Sequence, residues 1–219
     1  MVQVQCDALL FDLDGVLIDS TPAVERVWRR WASRHGFDPV EVIAHAHGRP
    51  SLSTIRHYLP SADHDAENRV VESWEIEDVE GVVPLPGAIQ LLESLPVGRW
   101  AIVTSCTRDL AAARFRAAGL TVPQAVVTAT DVVHGKPDPE PYLKGAALLG
   151  VSAARCLVFE DVAAGIRAGH AAGARVAALT TTLSQAELHQ SAPDWILRNC
   201  GDVKVDPQKT PVTLHFSVE

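Results

Sequence analysis

Short apolar runs that alternate with helical patterns are the feature that most constrains the fold of this chain. Each run is too short for a helix and is bounded by polar or turn residues, so each predicts a buried β-strand. The runs cover residues 8–11, 100–103, 125–127, 156–159 and 175–179. Helical patterns lie between them, at residues 86–95, 109–118, 138–150 and 163–172. This order predicts a parallel sheet with helices on both faces.

The predicted core is therefore an α/β fold of the Rossmann-like, doubly wound type. Asp109 and Asp138 stand where two of its helices would begin, and Gly119 and Gly150 where these helices would end. In sheets of this kind the ligand site lies at the carboxyl ends of the strands. Polar residues that directly follow the predicted strands are therefore the first candidates for functional residues.

Residues 22–76 interrupt this alternation, because helical patterns follow one another there without a convincing strand. The patterns cover residues 22–35, 39–45, 51–59 and 65–76. They predict a small all-helical cap domain inserted after the first strand, with a return linker at residues 82–86 that two prolines stiffen. The predicted domains are an α/β core of residues 1–18 and 84–219 and a helical cap of residues 19–83.

The C-terminal segment follows a different pattern. Val212, Leu214, Phe216 and Val218 alternate with polar residues, which predicts a terminal edge strand. The sequence assigns no functional role to residues 205–219.

Composition and charge narrow the class of protein. Apolar residues make up 47% of the 219 residues and charged residues 21%, as in ordinary globular proteins. A net charge of −8 disfavours a nucleic-acid-binding surface, which needs clustered Lys and Arg. A local pocket can still bind a small phosphorylated metabolite against this overall charge.

The sequence also indicates a compartment. The N-terminus lacks the basic and apolar regions of a signal peptide, and no apolar run approaches the roughly 20 residues that span a bilayer. The four cysteines are widely spaced without a CxxC pair, so we expect them to be reduced and buried: Cys6, Cys106, Cys156 and Cys200. We therefore expect a cytoplasmic protein without a membrane partner; both a monomer and a homodimer are compatible with the sequence.

Two acidic clusters follow predicted strands. Asp12 and Asp14 come after the first strand and precede a glycine, and Glu160 and Asp161 come after the fourth. Carboxylates this close disfavour one another's ionisation unless a cation lies between them, and hard divalent cations prefer such oxygen ligands. The alternatives are structural, because Asp-Gly is a common turn dipeptide and Asp161 could cap the next helix.

Hydroxyl and ammonium groups follow two further strands. Thr104 and Ser105 come after residues 100–103, where hydroxyls and free backbone amides can hold phosphate oxygens. Lys136 lies between a glycine and a proline, just before a predicted helix. Taken singly, these residues are better explained as an ordinary turn or helix cap and a solvated surface lysine.

The four clusters are harder to explain as structural features when they are considered together. All of them follow strands at one predicted edge of the sheet, in order along the chain. Together they meet the needs of phosphoryl transfer: carboxylates for Mg²⁺, a cation and hydroxyl donors for the phosphoryl group, and a carboxylate that can attack phosphorus.

The same residues form motifs that resemble those of the haloacid dehalogenase-like superfamily of phosphotransferases. The motifs are, in chain order, FDLDGVLIDS, VTS, GKPDPEPY and VFEDVAAGIRAG. The resemblance covers nearly the whole chain, and the insertion is similar to the helical C1 cap of subfamily I. Within that subgroup the chain resembles sugar-phosphate and glycerol-phosphate phosphatases. Residues 46–50 of the insertion support this closer resemblance. The resemblance implies an Mg²⁺-dependent phosphatase that hydrolyses a small sugar or polyol phosphate through an aspartyl-phosphate.

The resemblance also implies a role for each motif residue. Asp12 would be the nucleophile, and Asp14 would protonate the leaving oxygen and then activate water. Thr104 and Lys136 would bind the transferring phosphoryl group, with the amide of Ser105 as a further donor.

The implied metal site uses the acidic residues of the first and last motifs. Asp12, the backbone carbonyl of Asp14, and Asp161 would hold Mg²⁺, with Glu160 in contact either directly or through water. Without a cation, these carboxylates would repel a phosphate dianion.

Two residues of the insertion are candidates for substrate binding. His47 and Arg49 lie in the glycine-containing turn between two predicted helices. Arg49 can form bidentate hydrogen bonds to phosphate oxygens or paired hydroxyls, and His47 could contact a substrate hydroxyl or cap a helix end. Both could instead be solvated loop residues. The sequence does not identify the substrate itself.

Single residues distinguish a phosphatase from other functions that occur on the same scaffold. Family members that cleave carbon–halogen or phosphonate bonds replace Asp14, so this residue favours an oxygen leaving group. Phosphomutases similar to β-phosphoglucomutase carry a histidine near the position of Val24, whereas no His lies between Asp19 and Arg34. This difference favours water as the phosphoryl acceptor. A catalytically inert regulatory or binding protein is the remaining alternative, but such proteins usually lose a nucleophile or metal ligand that this chain keeps.

Overall fold

The structure, a computed structural model, describes residues 1–47, 49–206 and 211–217. The strands are β1 (Val2–Cys6), β2 (Ala8–Phe11), β3 (Ile18–Asp19), β4 (Val83–Pro84), β5 (Trp100–Val103), β6 (Val126–Val127), β7 (Cys156–Glu160), β8 (Arg175–Leu179), β9 (Trp195–Leu197), β10 (Lys204–Asp206) and β11 (Val212–Phe216). The α-helices are α1 (Thr21–His35), α2 (Pro39–Ala46), α3 (Ser51–Tyr58), α4 (His64–Glu77), α5 (Ala88–Ser94), α6 (Arg108–Ala118), α7 (Glu140–Leu148), α8 (Ala163–Ala171) and α9 (Gln185–His189).

The central sheet has six parallel strands in the order β6-β5-β2-β7-β8-β9. This is the doubly wound order, which reverses at β2, so the predicted fold class is confirmed. The five predicted strands are present, and β9 is a sixth that its three-residue length hid from the sequence analysis. Because β2 pairs with both β5 and β7, the residues that follow these three strands are neighbours at one edge.

Side chains of β2 contribute to apolar clusters on both faces of the sheet. Leu9 and Phe11 belong to one cluster, and Ala8 and Leu10 to the other. Residues of α5 and α6 complete the first cluster, and residues of α7 and α8 complete the second. The continuous apolar character of the strand follows from this burial on both faces.

The start of α6 corrects one detail of the sequence analysis. The predicted N-cap of this helix is Asp109, but the observed N-cap is Thr107, whose side chain accepts a hydrogen bond from the amide of Leu110. Both residues can cap a helix, and the local sequence does not distinguish them.

A helical insertion, comprising α1 to α4, lies between β3 and β4. These two short strands pair antiparallel, Ile18 with Pro84 and Asp19 with Val83. The four helices enclose an apolar cluster of their own, and the buried side chains of this insertion cluster are Val27, Trp28, Trp31, Ala32, Val42, Ala46, Ile55 and Val71. The four predicted helices are therefore confirmed, whereas the paired strands at the base were not predicted because each has only two residues.

A second sheet of three antiparallel strands has the order β1-β11-β10. The predicted C-terminal strand exists as β11, but its predicted edge position is wrong, because β1 and β10 pair with its two sides. Val218, the last residue of the predicted pattern, lies outside the described residues. The first strand of the chain, β1, belongs to this second sheet. The strand that the insertion was predicted to follow is therefore β2, the first strand of the parallel sheet.

Two further observations bear on the sequence analysis. All four cysteines are free and buried, as predicted. Within the described ranges, none of the helices combines the length and the apolar character that a membrane-spanning segment requires.

Candidate active site

The motif residues of the core lie at the carboxyl edge of the central sheet. Asp12 directly follows β2, Thr104 follows β5, and Glu160 and Asp161 stand at the end of β7. Lys136 lies in the loop between β6 and α7. The structure brings Asp12, Lys136, Glu160 and Asp161 into one buried group, as the clustering of strand ends led us to expect.

Lys136 is held by three oxygen atoms. Its Nζ donates to Asp12 Oδ1 at 2.6 Å, to Glu160 Oε1 at 2.7 Å and to the carbonyl of Val103 at 3.0 Å. Only 5% of the side chain is exposed. The alternative of a solvated surface lysine is therefore wrong, and the ammonium is fixed beside Asp12.

Glu160 is fully buried, and donors occupy both of its carboxylate oxygens. Oε1 accepts from Lys136 Nζ and from the hydroxyl of Tyr142, each at 2.7 Å. Oε2 accepts from the amides of Asp161 at 3.1 Å and Val162 at 3.4 Å. A carboxylate has about four acceptor positions, so a metal ion bound directly to Glu160 would replace at least one of these bonds.

Three buried carboxylates form a group that fits a divalent cation. One oxygen from each of Asp12, Glu160 and Asp161 lies within 4.8 Å of the others. Burial raises the pKa of Asp12 to about 7, although the ammonium of Lys136 lowers it. Burial, together with the charges of Glu160 and Asp12, raises the pKa of Asp161 well above its usual value. Asp161 Oδ1 is buried and has no hydrogen-bond partner among the described residues, which suits a metal ligand.

Two glycines allow this close approach of carboxylates. A Cβ on Gly15, whose φ is +79°, would lie 1.9 Å from Asp161 Oδ2. A Cβ on Gly165 of α8 would lie 1.7 Å from Glu160 Oε1. A side chain at either position would displace the acidic group. The alternative role of Asp161 as a helix cap is not observed, because the N-cap of α8 is Val162.

The side chain of Asp14 belongs to a different group of contacts. Its Oδ1 accepts from Ser20 Oγ at 2.6 Å, and its Oδ2 accepts from Arg114 Nη1 at 2.7 Å and from Cys106 Sγ at 3.1 Å. The side chain is thus not one of the clustered carboxylates, and a metal contact through the Asp14 backbone carbonyl stays a prediction. Burial raises the pKa of Cys106 well above its usual value, so this residue is not a reactive thiol.

Thr104 and Ser105 differ in their surroundings. Thr104 is buried, and its Oγ1 accepts from the amide of Cys106 at 3.1 Å, which is the local turn contact considered above. Ser105 is exposed. Both residues line the same cavity as Asp12, so the turn also presents them to a ligand.

A cavity of about 490 Å³ lies above these residues and continues between the core and the insertion. It has the size of a small-molecule site. His47 and Arg49 line its insertion side and are exposed, in the turn between α2 and α3 as predicted. His47 Nε2 lies 3.1 Å from the carbonyl oxygen of Thr182, so His47 also contacts the core.

Four polar residues around this site were missed by the sequence analysis: Ser20, Glu75, Arg114 and Tyr142. Only Arg114 had a clear signal. It shares the four-residue spacing of Leu110 and Ala118 on the buried face of α6, where a charged side chain needs a partner. The partners themselves lie on other elements, at sequence distances that local patterns do not report.

Comparisons of the sequence and of the structure with known proteins point to the same family. Residues 6–173 match the family model of the haloacid dehalogenase-like hydrolases. The chain is 43% identical over 209 residues to hexitol phosphatase A from Escherichia coli (strain K12), covering 93% of this chain and 96% of that protein. It is 36% identical over 216 residues to glycerol-1-phosphate phosphohydrolase 2 from Saccharomyces cerevisiae, covering 93% and 86%. A crystal structure of a family hydrolase from Deinococcus radiodurans R1 with bound phosphate and sodium matches with a TM-score of 0.67 and 27% identity, covering 88% of this chain and 91% of that one.

Proposed function

Because the chain belongs to the haloacid dehalogenase-like hydrolase family, we propose that it is an Mg²⁺-dependent phosphatase acting on a sugar or polyol phosphate. The observation that carries this proposal is the buried group of Asp12, Lys136 and Asp161 at the base of a cavity of about 490 Å³. The hexitol phosphatase and glycerol-1-phosphate phosphohydrolase among its relatives support this substrate class.

The proposed reaction has two steps. In the first, an oxygen of Asp12 attacks phosphorus, the bond from phosphorus to the substrate oxygen breaks, and Asp14 gives that oxygen a proton. In the second, Asp14 takes a proton from water, whose oxygen attacks the aspartyl-phosphate and releases phosphate and free Asp12. The contact of Lys136 with Asp12 supports a role in binding the transferring phosphoryl group, together with Thr104 and the amide of Ser105.

The carboxylate group supports Mg²⁺ as the cofactor. Asp12 and Asp161 would hold the ion with the backbone carbonyl of Asp14, and the unpartnered Oδ1 of Asp161 fits this assignment. When bound, Mg²⁺ would neutralise phosphoryl oxygens and so reduce the repulsion between the substrate and the carboxylates. Glu160 anchors Lys136, and it would contact the metal either directly or through water.

The insertion is proposed as a cap domain of residues 19–83, on a core of residues 1–18 and 84–219. The pairing of β3 with β4 and the separate insertion cluster support these boundaries. His47 and Arg49 are the proposed contacts to the substrate beyond its phosphate, because both line the cavity. The proposed location is the cytoplasm, which the four free cysteines support.

A phosphomutase is the second candidate function. These mutases carry a histidine near the position of Val24, which lines the cavity and cannot exchange protons. Val24 favours water as the acceptor over a second hydroxyl of the sugar. Incubation with a sugar phosphate separates the two candidates, since a phosphatase releases inorganic phosphate and a mutase yields an isomeric sugar phosphate.

The test of the proposed function is an assay with p-nitrophenyl phosphate and Mg²⁺, followed by a screen of phosphorylated metabolites ranked by kcat/KM. We expect turnover on the aryl ester and higher kcat/KM on a sugar or polyol phosphate. A purified, folded protein that releases no phosphate from any of them would instead support the inert regulatory protein.

A further inference from the structure

One buried arginine joins Asp14 to the helical insertion. Arg114 lies on α6, and only 7% of its side chain is exposed. Its Nη1 donates to Asp14 Oδ2 at 2.7 Å and to Cys106 Sγ at 2.9 Å. Its Nη2 lies 3.5 Å from Glu75 Oε2, on helix α4 of the insertion. The guanidinium therefore links a residue of the first motif to a residue that belongs to another part of the fold.

Two carboxylate partners stabilise the buried charge of Arg114. Burial opposes this charge, but Asp14 and Glu75 raise the pKa of the guanidinium overall. A buried cation without partners is strongly unfavourable, and removing one member of such a group leaves the others uncompensated. The three side chains consequently hold one another in place.

A second contact fixes α4 against α6 near the same point. Glu72, one turn before Glu75, accepts a hydrogen bond from the hydroxyl of Thr107, the N-cap of α6. Both glutamates, Thr107 and Arg114 line the cavity. The position of α4 thus determines whether Glu75 is within reach of Nη2 of Arg114.

The Asp14 carboxylate is held from two sides. Ser20 Oγ donates to Oδ1, and Arg114 donates to Oδ2. A general acid must lie within hydrogen-bond reach of the leaving oxygen, so a small rotation of this carboxylate is costly for proton transfer. Ser20 precedes α1 and Arg114 lies on α6, and therefore the carboxylate orientation depends on tertiary packing.

We propose that Arg114 is a positioning residue for Asp14, and that Glu75 couples the position of Asp14 to the packing of α4 against α6. The proposal rests on the proposed acid–base role of Asp14. Arg114 does not touch the reacting atoms; it acts through the orientation of the carboxylate. Because Glu75 contacts Arg114, the orientation of the Asp14 carboxylate also depends on where the insertion lies over the cavity.

The first test compares Arg114→Met with Arg108→Met. Arg108 lies on the same helix but is exposed and paired with Asp131, outside the cavity. Burst kinetics would measure the phosphorylation step on p-nitrophenyl phosphate, whose leaving group needs no proton, and on the best alkyl phosphate from the screen. We expect Arg114→Met to lower that rate about 100-fold on the alkyl phosphate and less than about 10-fold on the aryl phosphate. Arg108→Met should change neither rate.

Conservative variants separate positioning from a loss of folding. Arg114→Lys keeps a cation beside Asp14 and should recover part of the alkyl phosphate rate. Glu75→Gln keeps the size of a side chain that does not touch Asp14, and its matched control is Glu77→Gln, an exposed glutamate of the same helix. We expect Glu75→Gln to lower the alkyl phosphate rate about 5- to 20-fold, with a smaller change on the aryl phosphate. This variant decides the question if Arg114→Met does not fold.

A double variant distinguishes failure of this inference from failure of the proposed function. If Arg114 acts through Asp14, adding Arg114→Met to Asp14→Asn should produce no further selective loss on the alkyl phosphate. Equal losses on both substrates for Arg114→Met and Glu75→Gln, beside a selective loss for Asp14→Asn, would overturn the inference and leave the proposed function intact. Equal losses for Asp14→Asn itself would remove the acid role of Asp14, and the inference with it.

Discussion

The core site and the insertion turn offer contrasting environments to the same cavity. In the core, the side chains of Asp12, Lys136 and Glu160 are almost fully buried and joined by hydrogen bonds, so their geometry is fixed before any ligand binds. In the insertion, His47 and Arg49 are exposed in a short turn between α2 and α3. If the proposed function holds, this difference predicts that bond breaking depends on the rigid group and that substrate selection depends on the exposed one.

The strongest test of the core half of this comparison is Asp12→Asn. The amide keeps the size of the side chain but cannot attack phosphorus, so we expect kcat to fall by about 10⁴-fold or more. Steady-state kinetics and a thermal unfolding midpoint would be measured together, because the fold should be retained. Near-normal turnover in protein free of wild-type contamination would remove Asp12 from the mechanism.

Removal of the metal should lower turnover by an amount comparable to the loss in Asp12→Asn, because it too acts on the core site. Without a metal ion, only the ammonium of Lys136 would offset the charge of Asp12, Glu160 and Asp161 beside a phosphate dianion. We expect EDTA to abolish turnover, Mg²⁺ to restore it, and Ca²⁺ to substitute poorly because it prefers looser and higher coordination. Full activity after exhaustive chelation would contradict the metal assignment.

Asp14→Asn examines the boundary between the two regions, since Asp14 lies in the core and is joined through Arg114 to Glu75 on α4 of the insertion. A sugar or polyol alkoxide needs a proton as it leaves, whereas p-nitrophenolate does not. In the phosphorylation step we expect a loss of about 10²- to 10⁴-fold on an alkyl phosphate and a much smaller loss on p-nitrophenyl phosphate. Burst kinetics are required, because a slow second step would conceal the difference.

Gly165→Ala tests whether the core group depends on close packing. The new Cβ would lie 1.7 Å from Glu160 Oε1, which must move and loosen Lys136. We expect kcat to fall about 10- to 100-fold, with weaker Mg²⁺ binding and a stability loss of about 1–3 kcal/mol.

The matched control for that variant is Gly169→Ala on the same helix, whose Cβ would meet Val176 and Val158 instead. It should lower the unfolding midpoint by a similar amount but leave the Mg²⁺ dependence unchanged. Equal effects of both variants on Mg²⁺ binding would show that overpacking, not the displacement of Glu160, is responsible.

Arg49→Ala addresses the insertion half of the comparison and should have the smallest effect. We expect about a 10-fold lower kcat/KM for the preferred sugar or polyol phosphate and little change for small aryl phosphates, which need no contact with the insertion. Arg56→Ala, an exposed arginine of α3, is the control. Similar losses on both substrates would mean that Arg49 does not select the substrate.

The sequence by itself determined five strands of the parallel sheet, the helices of the insertion and the location of Asp12, Thr104 and Glu160 at strand ends. These features follow from local patterns, because apolar runs and the residues next to them report burial and chain direction. The middle position of β11, the hydrogen bonds that surround Glu160 and the contact of Arg114 with Asp14 were decided by the tertiary structure. They join groups far apart in the chain, 100 residues in the case of Arg114 and Asp14, and no short-range spacing encodes such a contact.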